Sequence, residues 1–193
     1  MRTDVLAYHD FYRTPLGARA ATAIAARLGE AWGDGKGLTM AAYGYSEPYL
    51  EGFTGARARL ALSPAAQGVI RWPALTANSA TLVNEAEWPL PDASVDRVIL
   101  THGLEEAVNP QRLLREIWRV MVDDGRLIIV APHRRGIWSM VDSTPFAAGR
   151  PYLKRQLGRL LQGSMFRAKA WSSALHFPPI NTCLLYTSDA ADE

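Results

Sequence analysis

A histidine at the end of a hydrophobic run is a candidate general base, because its side chain changes charge near neutral pH. His102 stands in such a place, directly after the run Arg97 to Thr101. It could take a proton from an acceptor hydroxyl or amine, or it could be a capping or core histidine. Arg134 and Arg135 follow a second run, which ends at Pro132. They could hold an acidic substrate or form a solvated pair. The stretch MAAYGYSEPYLEGF, Met40 to Phe53, carries one glycine, Gly44, followed by Tyr45 and Ser46. Glycine there lets the backbone approach a ligand closely or take a positive φ, though a tight turn with no ligand would need it equally. The single cysteine, Cys183, excludes an internal disulfide and every CxxC motif, and no metal is expected.

The elements that must position these residues follow from periodicity. Leu16, Ala20, Ile24, Leu28 and Ala31 recur at helical spacing between Thr14 and Trp32, and Gly33, Gly35 and Gly37 end that helix. Leu38 to Ala42 reads as a short buried strand, with a helix opening at Ser46 as N-cap and Pro48 in its first turn. A second strand at Arg59 to Leu62 is followed by a short helix that Ser63 caps and Pro64 opens. Thr81 to Val83 is a weaker third strand. The loop WPLPDASVD delivers the chain into a fourth, Arg97 to Thr101. Pro110 to Met121 is amphipathic, with Leu113, Leu114, Ile117, Val120 and Met121 on one face and Arg112, Arg115, Glu116 and Arg119 largely on the other. VDDGRLIIVAP supplies a fifth strand, expected to be buried on both faces. An irregular connection follows, and LKRQLGRLL resumes helical spacing. Strands alternating with helices predict an α/β fold with a doubly wound, mostly parallel sheet.

At 193 residues, with 48% hydrophobic and 21% charged residues, the chain is expected to form one domain. No stretch approaches the roughly 18 to 20 apolar residues of a membrane span, so a soluble, cytoplasmic protein is expected. The last segment, CLLYTSDAADE, resembles the translation of a transposase adapter used in sequencing. Residues 183–193 are therefore expected to be a scar, and 1–182 a C-terminally truncated domain. Without Asp189, Asp192 and Glu193 the formal charge rises from +2 to +5. Between His133 and Ala170 eight arginines and lysines face only Asp142. An anionic partner or a solvated basic surface would each account for that.

Three segments carry a family resemblance: NEAEWPLPDASVDRVIL, LEEAVNPQRLLREIWRVM and DDGRLIIVAP. Together they resemble the class I S-adenosylmethionine-dependent methyltransferases, in particular the small type 11 group. PAAQGVIRWP, RRGIW and TPF are similar to a bacterial branch of that group. The resemblance implies a Rossmann-like sheet, here without its last two strands, and S-adenosylmethionine as cofactor. It implies methyl transfer to a small-molecule acceptor, with a non-catalytic binding or regulatory module as the alternative.

By the same resemblance, the cofactor loops place Gly44, Tyr45 and Ser46 after the first strand and Ala61 with Leu62 at the second. Glu85 with Ala86 fall at the third, and His102 faces the methyl end. Only Gly44 survives of the family's three glycines, and Ala61 stands where an Asp or Glu would accept the ribose hydroxyls. Glu47 could substitute for that acceptor, or be an exposed first-turn carboxylate favoured by the helix dipole. In the family a carboxylate at the third strand takes the adenine amino group. Glu85 matches it, with Glu87 as the other possibility. A nicotinamide-dependent dehydrogenase is disfavoured because G-x-G-x-x-G is absent. Nucleic-acid methylation is disfavoured because no Asn/Asp-Pro-Pro-aromatic motif appears.

Overall fold

Two helices open the chain and share one residue. The computed structural model describes residues 2–179. In it, helix α1 spans Val5–Arg13, with Asp4 as its N-cap accepting from Leu6 N at 2.8 Å. Helix α2 spans Pro15–Trp32. Thr14 closes the first and opens the second. Its Oγ1 donates to Phe11 O at 2.7 Å and accepts from Gly17 N at 3.0 Å. The predicted face of α2 is the buried one, through Leu16, Ala20, Ile24 and Leu28. The sequence reading did not include α1.

Five strands follow: β1 Thr39–Gly44, β2 Ala58–Pro64, β3 Ala80–Val83, β4 Val95–Thr101 and β5 Met121–Val130. They form one parallel sheet in the order β3-β2-β1-β4-β5. The chain winds outward from β1 to β3 and then crosses to the other side for β4. The switch point therefore lies between β1 and β4, where ligands of such sheets gather beyond the carboxyl ends. Side-chain alternation divides the core. Met40, Ala42 and Ile99 pack with α1 and α2 on one face. Ala41, Tyr43, Val98 and Leu100 pack on the other with helix α4, Pro110–Val120, and helix α5, Lys154–Gly163. No helix among the described residues is long and apolar enough to cross a membrane.

Four expectations are corrected. The helix after β1 is a single turn, α3, Glu47–Leu50, and Ser46 does not cap it; the Ser46 hydroxyl donates back to Tyr43 O at 3.1 Å. No helix opens at Ser63. Ser63 and Pro64 extend β2 and pair with Leu82 and Val83. Pro64 is tolerated because Ala65 N, rather than Pro64, donates to Val83 O at 3.1 Å, and β1 has stopped pairing at Leu62. β5 is half-buried instead of buried on both faces, because among the described residues it has one neighbour, β4. Glu116 is buried, not on the solvent face: its carboxylate accepts from Trp88 N at 2.6 Å and pairs with Arg119, tying the 88–92 loop to α4. The 183–193 segment lies outside the described residues.

Gly44 ends β1 at φ +92, and a Cβ there would collide with the Thr101 carbonyl oxygen and stand 3.0 Å from Gly103 N. Gly44→Ala therefore combines strained backbone with a clash against main chain, and should cost about 3 kcal/mol or more of stability. Urea unfolding of this variant beside Gly163→Ala, where a Cβ meets nothing within 4 Å, separates the clash from a generic glycine effect.

Candidate active site

The carboxyl ends of β1 and β4 touch. Tyr45 N donates to Thr101 O at 3.0 Å, extending the ladder one residue past Gly44. Tyr45 is thereby presented to α1, where Tyr8 and Tyr12 sit one helical turn apart on the same face. Both rings stack on Tyr45, at 5.2 Å and 19° for Tyr8 and at 5.3 Å and 16° for Tyr12. Burial pushes the phenols of Tyr8, Tyr12 and Tyr49 above their usual range, which keeps them protonated as donors.

His102 follows β4 at φ +52, a left-handed conformation uncommon for a residue with a Cβ. That turn brings the imidazole, 1% exposed, beneath α1. Its Nε2 lies 2.7 Å from Tyr12 Oη, and Tyr12 Oη lies 2.8 Å from Tyr49 Oη. Its Nδ1 lies 3.5 Å from Glu105 Oε1, one turn onward, and Glu105 is also buried. The rings of Tyr8 and Phe146 flank it at 4.6 and 4.8 Å. The result is a buried hydrogen-bonded chain Tyr49–Tyr12–His102 that can orient the imidazole, with the Glu105 carboxylate near Nδ1 but not hydrogen-bonded to it.

Several other buried polar groups at the same end of the sheet lack hydrogen-bond partners. They are the Ser63 hydroxyl, the Thr101 hydroxyl, the Gln67 amide and both oxygens of Glu47. Burial raises the Glu47 carboxyl to about 7, opposed by its own N–H and that of Ser46. Glu85, by contrast, is engaged. It accepts from Val108 N at 3.1 Å and Asn109 N at 2.8 Å, and from Arg2 at 3.4 Å. Arg2 reaches on to Gly103 O at 3.5 Å, so Glu85 bridges the loop after β3, the start of α4 and the loop after β4. No cluster of metal-ligating side chains occurs among the described residues.

Residues 54–129 match the family described as a methyltransferase domain. That match spans less than half of the chain. A 41-residue segment is 51% identical to the Uncharacterized protein YafS of Escherichia coli (strain K12), covering 21% of this chain and 17% of that protein. The fold is similar to a SAM-dependent methyltransferase, possible histamine N-methyltransferase, of Thermotoga maritima, with TM-score 0.62 and 14% identity over 83% of this chain and 76% of that one. It is similar to the 1,6-didemethyltoxoflavin-N1-methyltransferase of Burkholderia thailandensis, solved with 1,6-didemethyltoxoflavin and S-adenosylhomocysteine, with TM-score 0.58 and 20% identity over 84% and 74% of the two chains. It is also similar to the [4+2]-cyclase SpnF, with TM-score 0.58 and 21% identity over 79% of this chain and 58% of that one.

Gly44, Tyr45, Ser46 and His102 converge at the switch point of the sheet. Ala61 and Leu62 are 2% exposed and lie inside β2, paired with Ala42 and Tyr43, while Ser63 stands nearer the strand's end. Glu85 and Ala86 occupy the loop after β3. Arg134 and Arg135 are exposed beyond β5 and separate: Arg134 lines a cavity of about 300 Å³ that Arg135 does not. Tyr8, Tyr12 and Glu105 were missed by the sequence reading. The signals were present in YHDFY, with tyrosines four apart, and in HGLE, with the glutamate three after His102.

Because the folded-state pKa of Glu47 lies above its unfolded value, the native state holds a proton that the unfolded chain has released between about pH 4.5 and 7. Stability attributable to Glu47 falls over that window and stays low above it. The full cost is on the order of 3 kcal/mol. Glu47→Gln should match the parent at pH 4.5 and exceed it by up to that amount at pH 8, as read from denaturation midpoints across the range. Tyr12→Phe leaves His102 Nε2 and Tyr49 Oη without their shared partner and should cost about 1 to 3 kcal/mol by the same measurement.

Proposed function

We propose that the chain is an S-adenosylmethionine-dependent methyltransferase acting on a small-molecule acceptor in the cytoplasm. The observation that carries this reading is the gathering of unpartnered buried polar groups at the carboxyl ends of β1, β2 and β4, in a fold whose residues 54–129 match a methyltransferase domain. Glu47, Ser63 and Thr101 are costly to bury unpaired and suit a polar ligand that satisfies them.

The fit to the cofactor is uneven along its length. At the methionine end, Gly44 offers close backbone, Tyr45 and Ser46 line the turn, and the Glu47 carboxylate suits an ammonium group. At the ribose, Ala61 provides no acceptor, and Ser63 is the polar group at that strand end. For the adenine our candidates are Glu85 and Ala86 in the loop after β3, where the Glu85 carboxylate is already engaged by two backbone N–H groups. The bound cofactor supplies a methyl group already activated on a sulfonium. The protein's part is then orientation and proton removal. His102 is our candidate to receive the acceptor's proton; Tyr12 links its Nε2 to Tyr49, and the unpartnered Nδ1 lies 3.5 Å from the buried Glu105 carboxylate.

A second reading has its own observation. Tyr8 and Tyr12 cover Tyr45, and Phe146 covers His102, so apolar rings of this chain lie on the surfaces a ligand would use. That arrangement, with no carboxylate at Ala61, favours a non-catalytic binding or regulatory module.

Calorimetric titration with S-adenosylhomocysteine distinguishes the two. Binding is expected, weakened about ten- to hundredfold relative to a site with a ribose carboxylate. Glu47→Gln should weaken it about tenfold further while raising stability at pH 8, which separates a lost contact from a damaged fold. Absence of heat at millimolar ligand would overturn the cofactor reading.

A further inference from the structure

We infer that the cavity between the loop after β5 and the start of α5 is an oxyanion site, and that the methyl acceptor is a small molecule bearing a carboxylate or phosphate. The cavity, about 300 Å³, is lined by Pro110, Arg134, Arg150, Tyr152, Gln156 and their neighbours Pro151 and Leu160. That volume suits a small organic anion.

Both charged side chains that line the cavity, Arg134 and Arg150, are cations, with the buried Glu105 carboxylate behind Tyr152. Among the described residues neither Arg134 nor Arg150 has a carboxylate within 4 Å, whereas Arg2, Arg27, Arg57 and Arg119 each have one. Gln156 turns its oxygen away, accepting from Leu153 N at 3.1 Å, which leaves its amide N–H groups as donors. Asp142, the one acidic residue between His133 and Ala170, lines a different cavity beside α1. Two guanidinium groups and an amide with no competing carboxylate form a donor set for an oxyanion.

The arginines are also held in place at the backbone. His133 and Tyr152 form a parallel bridge, in which Tyr152 N donates to Pro132 O at 3.0 Å and Arg134 N donates to Tyr152 O at 3.1 Å. Arg150 N donates to Glu105 O at 2.8 Å, and Tyr152 Oη reaches Leu104 O at 3.4 Å. The segment that carries Arg150 is thus fastened to the stretch immediately following His102. An acceptor anchored there by its anionic end would be held on backbone that is bonded to Leu104 and Glu105.

The substrate clause rests on the methyl-transfer reading, while the anion site can be tested without it. Citrate and inorganic phosphate are titrated calorimetrically, at low ionic strength, into the full chain and into Arg134→Gln, Arg150→Gln and Arg135→Gln. S-adenosylhomocysteine is titrated into the same samples. Citrate and phosphate should bind the parent, and loss of either Arg134 or Arg150 should weaken binding about fivefold or more, a tenfold charge-assisted contact discounted for solvent exposure. Arg135→Gln should stay within about twofold, and S-adenosylhomocysteine binding should be unchanged in all three variants. Equal weakening by Arg135→Gln would mean a diffuse basic field and overturn the site. So would tight binding of a single-stranded oligonucleotide with none of citrate. Citrate binding without S-adenosylhomocysteine binding would support the anion site and overturn the substrate clause together with the cofactor reading.

Discussion

The contact between the end of β1 and the end of β4 sets the geometry of everything beyond the sheet. Gly44 has no Cβ, so the Thr101 carbonyl can come close enough to take the Tyr45 N–H, and the two strand ends leave the sheet joined. A side chain at residue 44 would push β4 away and move His102, Gly103 and the loop that Arg2 and Glu85 brace. This glycine therefore has a structural task of its own, whatever ligand it meets. Ser46 is similar: its hydroxyl returns to Tyr43 O and tightens the same turn.

The electrostatics of the site follow from that closeness. Once the strand ends are sealed against each other and α1 lies over them, water is excluded from Glu47, Glu105 and His102, and each polar group is left with few neighbours. Burial raises the Glu47 carboxyl, and buried phenols hold their protons. A site of this kind is poised between two outcomes. Its unpaired groups await a partner, and its aromatic rings partly take that partner's place. The likeness of the fold to both methyltransferases and a [4+2]-cyclase shows why the sheet alone does not decide between chemistries.

Much of the sheet was legible in the sequence because strand and helix periods are local. The run ending at Thr101 and the helix carrying Leu113, Leu114 and Ile117 appear where the pattern puts them, and the run ending at Pro132 is strand as far as Val130. Pro64 misled because proline opens helices and also ends strands where no N–H is needed, and only the neighbouring strand's length decides which. Glu116 read as surface because its partners, Trp88 N and Arg119, lie across a loop that periodicity does not see. Of the site, the position of His102 was readable. Its partners were not, since Tyr12 is 90 residues away in sequence and reaches it through a helix with no strong apolar pattern.

Thr14 gives the covering helix a particular mechanical character. One residue separates α1 from α2, and its hydroxyl bonds to both. α2 is fixed along the sheet by Leu16, Ala20, Ile24 and Leu28, so α1 cannot slide lengthwise without dragging a packed helix with it. α1 is fastened at its other end too, where Val5 N donates to Gln67 O at 2.8 Å, and in between by Tyr12 on His102 and Tyr49, so the face of Tyr45 is roofed by a helix tied at both ends.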